Sequence, residues 1–114
     1  EFETGWVAHF KQRLDHAAYR TPWELADEVT MKPSQYFDRN FWVTFEDDAQ
    51  GIATRHDIGI GNLVWGNDYP HHDSIWPHSM RTLDEVLAGV PDNERQAMVW
   101  DNVMGLYNID QTKL

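Results

Sequence analysis

The run Asn62-Leu-Val-Trp-Gly-Asn-Asp-Tyr-Pro-His71 constrains this chain more than any other. Leu63, Val64 and Trp65 end in Gly66, and the chain then delivers Asn67, Asp68, Tyr69, Pro70, His71, His72 and Asp73. A short apolar run bounded by glycine reads as a buried strand, and it opens here into a loop of polar, metal-capable side chains. Carboxylates at the C-terminal tips of buried strands are where α/β barrels keep their chemistry. A second run, Phe41-Trp-Val-Thr-Phe45, is aromatic and β-branched, ends in Glu46-Asp47-Asp48, and also reads as a strand. Between the two, Ala49 to about His56 reads as a short helix with Asp48 as its cap. Gly59 and Gly61 frame the turn into the second strand, near 62–66. Strand, helix and strand in that order form a βαβ unit, which implies parallel pairing.

Helical signals flank this unit. Thr4 reads as an N-cap, with Trp6, Phe10, Leu14, Ala17 and Ala18 recurring at helical spacing until about Tyr19. Thr21-Pro22-Trp23-Glu24 reads as a capping box that opens a short helix or turn through about Asp27. Ser34, after Lys32-Pro33, reads as the cap of a single turn through Tyr36-Phe37. Downstream, Ser79 or Thr82 opens a helix near 79–89 that carries Leu83, Val86 and Leu87, with Thr82 and Glu85 as a further capping box. Gly89 and Pro91 stop it, and Asp92 caps a last helix near 93–107 with Val99, Val103, Leu106 and Tyr107 on one face. No repeat or linker divides the chain, so residues 1–114 read as one α/β segment of about two parallel strands and four or five helices. Two strands do not make a stable sheet alone. The helices must therefore cover them, or copies must associate.

Charge and composition narrow the function classes. A formal net charge of −10 repels phosphate backbones and anionic lipid, which argues against nucleic acid and membrane as partners. No run approaches the roughly 20 apolar residues of a membrane span. The absence of cysteine excludes disulfides, thiolate nucleophiles and Cys-type zinc sites, and makes the cytoplasm the natural location. There is no Gly-rich phosphate loop and no G-x-S-x-G elbow, so nucleotide binding and serine hydrolysis have no support. The start at Glu1-Phe2-Glu3-Thr4-Gly5, without Met or a signal-peptide core, suggests a segment of something longer.

Asp68 is the leading site candidate. It suits a metal ligand offering a hard oxygen to zinc or manganese, and equally a general base; a loop-capping aspartate is the plain alternative. His71, His72 and Asp73 are adjacent and match no ligand pair of the H-E-x-x-H kind. Hydrogen bonds that stiffen the loop, or a single functional His71, therefore fit better than a metal cluster. Trp76, followed by Pro77, is placed to wall a substrate pocket. Glu46 follows the first strand tip and faces the same mouth, because parallel strands end on one side, although a triple acid is also what a solvated turn looks like. The other tryptophans read as core and interface material.

Val64-Trp65-Gly66-Asn67-Asp68-Tyr69-Pro70-His71, then Asp73-Ser74, Trp76-Pro77, Asp101-Asn102 and Leu106-Tyr107, resembles the C-terminal end of the amidohydrolase-2 family. Glu3-Thr4-Gly5-Trp6, Arg13-Leu14-Asp15 and Pro33-Ser34-Gln35-Tyr36-Phe37 extend the resemblance collinearly upstream. That family comprises metal-dependent TIM-barrel hydrolases and decarboxylases, including aminocarboxymuconate-semialdehyde and resorcylate decarboxylase types. The resemblance implies that 41–45 is barrel strand seven, that 62–66 is strand eight, and that Asp68 is the strand-eight aspartate at the metal. His71 and Trp76 would be pocket-formers, and the last two helices would cover the barrel. Position 67 is Asn where many relatives carry Ser. The family's His-x-His pair and its later histidines have no counterpart here. A full (β/α)₈ barrel takes roughly 250 residues, so on this reading the chain is the C-terminal portion of a barrel and incomplete on its own.

The expectation is thus the C-terminal part of a metal-dependent enzyme that hydrolyses or non-oxidatively decarboxylates a small carboxylated or cyclic substrate. Its divalent metal would be zinc, or else manganese, held weakly or not at all by this chain alone, and the isolated chain would be inactive. The rival from another class is a non-catalytic module that associates with itself as a homo-oligomer, or with a complementary barrel fragment, through exposed strand edges. A fragment with no independent role is the third reading.

Overall fold

The computed structural model describes residues 2–113 as a mixed α/β unit built around a two-stranded parallel sheet. Helix α1 (Val7–Arg20) leads through a 3₁₀ turn (Pro22–Glu24) to α2 (Pro33–Asn40) and strand β1 (Val43–Phe45). Two short helices, α3 (Ala49–Ala53) and α4 (Arg55–Ile58), and a 3₁₀ turn (Ile60–Asn62) cross back to β2 (Leu63–Trp65). Helix α5 (Ser79–Val86) follows the long loop after β2. The C-terminal helical run then passes from α6 (Asp92–Gln96) through a π-turn (Ala97–Asp101) into α7 (Asn102–Leu106).

The expected parallel pairing is present. Val43 faces Leu63, Thr44 faces Val64 and Phe45 faces Trp65, and Gly66 N donates to Phe45 O to close the ladder. Both strands are shorter than the expected 41–45 and 62–66. Phe41 N donates to Phe37 O and finishes α2, while Asn62 Nδ2 donates to the carbonyls of Asp38 and Phe41. Phe41 and Asn62, before the two strands, thus spend their backbone N–H groups on turns.

Period-2 alternation gives the sheet two faces. Phe45 and Leu63 point into a core with Val7, Phe37, Ile52, Ile58, Leu83, Leu87 and Met98. Thr44 is on the opposite, open face.

Several local expectations change in the tertiary context. Thr4 does not cap α1; it is fully buried, and its side chain donates to Asp48 instead. Thr21 Oγ1 turns back to Ala17 O, so no capping box forms and the 3₁₀ turn ends at Glu24. The single turn expected at Ser34 is an eight-residue helix. Its first turn is anchored by Asp15 of α1, which receives Ser34 N and Ser34 Oγ at 2.9 and 2.7 Å. The helix expected over 49–56 breaks at Thr54 into α3 and α4. Helix α5 begins at Ser79, the first of the two expected starts, so Thr82 lies inside it and caps nothing, and Pro91 rather than Asp92 holds the N-cap position of α6. Asp48 does cap α3, accepting from Gly51 N at 2.8 Å.

Long side chains fasten the layers. Lys11 Nζ donates to the last carbonyls of α4, Asp57 O and Ile58 O, both at 2.9 Å. A cation at a helix C-terminus satisfies carbonyls that have no partner within the helix. Asn102 Nδ2 reaches Ile60 O and Leu63 O, both at 2.7 Å, and bolts the C-terminal helical run to the start of β2.

Candidate functional site

Because β1 and β2 are parallel and in register, their C-terminal ends open on one side. Continuing the alternation from Thr44 and Val64 places Glu46 and Gly66 on the open face. Glu3, Thr44, Glu46, Gly66 and Asp68 line a cavity of about 260 Å³ there. A smaller one of about 60 Å³ adjoins it, lined by Glu3, Glu46, Asp68, His71 and Asp73.

Asp68 sits two residues beyond Gly66 with φ 54°. That left-handed conformation is uncommon for a residue with a side chain, and Asp and Asn tolerate it better than most. It turns the loop sharply at the strand tip. His71 N then donates to Asp68 O at 2.8 Å, and His71 Nδ1 lies 2.7 Å from Asp68 Oδ2. The carboxylate is fixed by its own loop, one oxygen taken by the imidazole. His72 packs against His71 with ring centroids 4.2 Å apart and lines neither cavity.

The rest of the loop is braced by Asn67 and Ser74. Ser74 Oγ donates to Asn67 O at 2.5 Å, and Asn67 Nδ2 to Ser79 Oγ at the start of α5. Trp76 packs on Tyr69, centroids 5.1 Å apart, and both rings are largely exposed. Trp76 lines neither cavity at the strand tips. It stands on the same loop as Asp68, but the structure does not bring it into the cavity wall.

Glu3 is the residue that sequence reasoning missed as a site component. It enters from the N-terminal segment, and its Oε2 accepts from Glu46 N at 3.0 Å. The sequence marked this region only through Thr4 as an N-cap and through the Glu3-Thr4-Gly5-Trp6 stretch of the resemblance. Nothing in a separation of 43 positions announces that Glu3 meets β1.

The mouth is strongly acidic. Burial pushes the Glu46 carboxyl above its ordinary value, and the neighbouring carboxylates of Asp68, Glu3, Asp73 and Asp47 push it further. Burial also raises Glu3, with Asp48 and Asp47 adding to the effect and the Glu46 amide opposing it. Crowded carboxylates cannot all ionise at ordinary cost, so one keeps its proton to higher pH than an isolated acid would.

A zinc centre takes three or four protein ligands. Among the described residues, no three His, Asp or Glu side chains are grouped to hold a metal ion. These residues alone therefore do not fit a complete metal centre. No described helix is long and apolar enough to cross a membrane. No family model matches the chain, and no curated protein matches it.

Proposed function

We propose that the mouth at the tips of β1 and β2 is one corner of the active site of an amidohydrolase-like enzyme, with Asp68 as its proton-handling carboxylate. The observation that carries this reading is the shared cavity: Asp68 and Glu46, from adjacent parallel strand tips, face each other with His71 holding one Asp68 oxygen. In hydrolysis, Asp68 takes the proton of the attacking water as its oxygen bonds to the carbonyl carbon, and the leaving amine then receives that proton. In decarboxylation, Asp68 starts protonated and gives its proton to the substrate carbon, and the carbon–carboxylate bond then breaks, its electron pair stays with the carbon, and carbon dioxide leaves. His71 orients Asp68.

A carboxylated substrate cannot approach Glu3, Glu46, Asp68 and Asp73 without positive charge nearby. A divalent metal, zinc or manganese, would supply that charge and acidify water, with Asp68 as the ligand this chain would offer it. On this reading its remaining ligands belong to further strands of a (β/α)₈ barrel, of which β1 and β2 are the last two. The sheet supports this, because each strand has a neighbour on one side only.

The test uses the full open reading frame in which this chain lies. The intact protein is expected to hold one zinc or manganese and to release carbon dioxide or amine from small carboxylated or cyclic amide substrates. Asp68→Asn should lower turnover on the order of 10²–10⁴-fold with the fold intact. Unchanged turnover in Asp68→Asn would sink the reading.

A second reading, a non-catalytic module that pairs with its own copies or a complementary fragment, draws on the same open sheet edges. A stable monomer of this chain in sedimentation counts against it.

A further inference from the structure

Glu3 is held from three directions. Its side chain receives Glu46 N at 3.0 Å. Its carbonyl receives the Trp6 indole Nε1 at 2.9 Å. The two residues after it are tied to Asp48, whose Oδ2 takes Thr4 N at 2.5 Å, Thr4 Oγ1 at 2.9 Å and Gly5 N at 2.7 Å. Glu3 itself has φ 51°. A non-glycine residue persists there only when its surroundings over-determine it, and such positions gather at functional sites.

The consequence falls on Glu46. It is the first residue past β1: on the carbonyl side of its peptide Phe45 O takes Gly66 N and closes the ladder, while pairing the Glu46 N–H is left to a group outside the sheet. The Glu3 carboxylate takes over that task and remains part of the wall facing Asp68.

We propose that Glu3 is a positioning residue of the Asp68 mouth: by clamping the Glu46 amide it aims the Glu46 side chain across the cavity at Asp68. The proposal rests on the catalytic reading of Asp68 for its consequence, but not for the contact itself. The clamp needs an acceptor oxygen on the side chain at position 3, not a negative charge. Gln supplies that oxygen and Ala does not.

Hydrogen exchange at the Glu46 amide reads the clamp in this chain without any turnover. Protection is expected to fall in Glu3→Ala and to be kept in Glu3→Gln. In the full reading frame, kcat is expected to fall about 10-fold in Glu3→Ala, as a displaced active-site group costs, with KM little changed, and to recover in Glu3→Gln. A merely structural Glu3 would change thermal stability without this split and rescue. Unchanged Glu46 protection in Glu3→Ala overturns the proposal, as does lost protection with undiminished kcat. If Asp68→Asn leaves turnover intact, the catalytic reading fails separately, and the exchange result still decides the clamp.

Discussion

Asp48 and Thr4 lie 44 positions apart, yet one Asp48 oxygen accepts both the Thr4 amide and the Thr4 hydroxyl. The same carboxylate takes Gly5 N and, through its other oxygen, Gly51 N. Thr4 is fully buried and Asp48 nearly so. A single acid thus caps α3 and fastens the segment leading into α1 against the tip of β1.

Replacing that acid should be costly. Asp48→Ala leaves three backbone amides and a hydroxyl without their acceptor, and each buried donor left unpaired costs about 1–3 kcal/mol. Because Gly5 N is only partly buried and water can reach it, we expect a total loss of about 3–5 kcal/mol in urea unfolding. A loss below about 1 kcal/mol would show that the clasp is dispensable.

Gly51 packs into the same knot. A Cβ built on it would overlap the Thr4 hydroxyl and the Asp48 carboxylate, whereas one on Gly61 meets nothing within 4 Å. Gly51→Ala is expected to destabilise by roughly 2–3 kcal/mol, in the range of overpacking, and Gly61→Ala to be near neutral. Similar melting temperatures for the two variants would refute the packing argument.

The acids make opposite demands on pH. Burial works to raise the Asp48 carboxyl, but the hydrogen bonds from Gly51, Thr4 and Gly5 outweigh it and hold the group below its ordinary 3.8. Its contribution is therefore complete above that value and is lost as pH falls through the folded one. Glu3 and Glu46 are held above their ordinary 4.5. The native state binds their protons more tightly than the unfolded chain does, so stability grows as pH falls from neutral through their folded values and levels off below 4.5. Urea midpoints should peak in the mildly acidic range. Glu46→Gln should flatten the neutral side of the profile; a profile unaltered by that change would contradict the crowding described at the mouth.

Asp68 is expected to trade stability for its position. With φ 54°, Asp68→Gly should be more stable by up to roughly 1 kcal/mol, because glycine adopts freely a conformation that costs an L residue roughly 1–2 kcal/mol, less glycine's larger loss of backbone entropy. The exposed contact with His71 offsets little of that gain. Asp68→Val should be less stable than Asp68→Gly by more than that margin, since β-branched residues resist positive φ. Thermal melts of the two variants order them directly, and the reverse order would show that the loop does not impose the angle.

The C-terminal helical run depends on one amide. Asn102→Ala removes both 2.7 Å bonds to Ile60 O and Leu63 O and should cost about 1–3 kcal/mol. Hydrogen exchange along β2 should accelerate with it. A variant that melts like the parent would mean that apolar packing around Met98 alone secures the helix.

Much of this was legible one element at a time. Residues 41–45 and 62–66 contain the two strands, Asp48 is a helix cap as its neighbours imply, and Gly59 at φ 109° and Gly89 at φ 79° stand at turns. Thr4, Thr21 and Thr82 show where local rules fail. Each has the sequence context of a cap, but Thr4 is claimed by a buried carboxylate from across the chain, Thr21 bonds back to its own helix, and α5 has already begun before Thr82.

Apolar spacing, breakers and the order of elements determined by themselves that the chain builds a βαβ unit with a polar loop at the tip of its second strand, because those signals act within a few residues. Only the tertiary structure decided which acids share the mouth. Glu3, Glu46 and Asp68 come from three distant segments, and what gathers them is the parallel register of the strands, the Asp48 clasp and the Glu46 amide. Hydrogen bonds and charge crowding act through space, so their partners are set by packing rather than by distance along the chain.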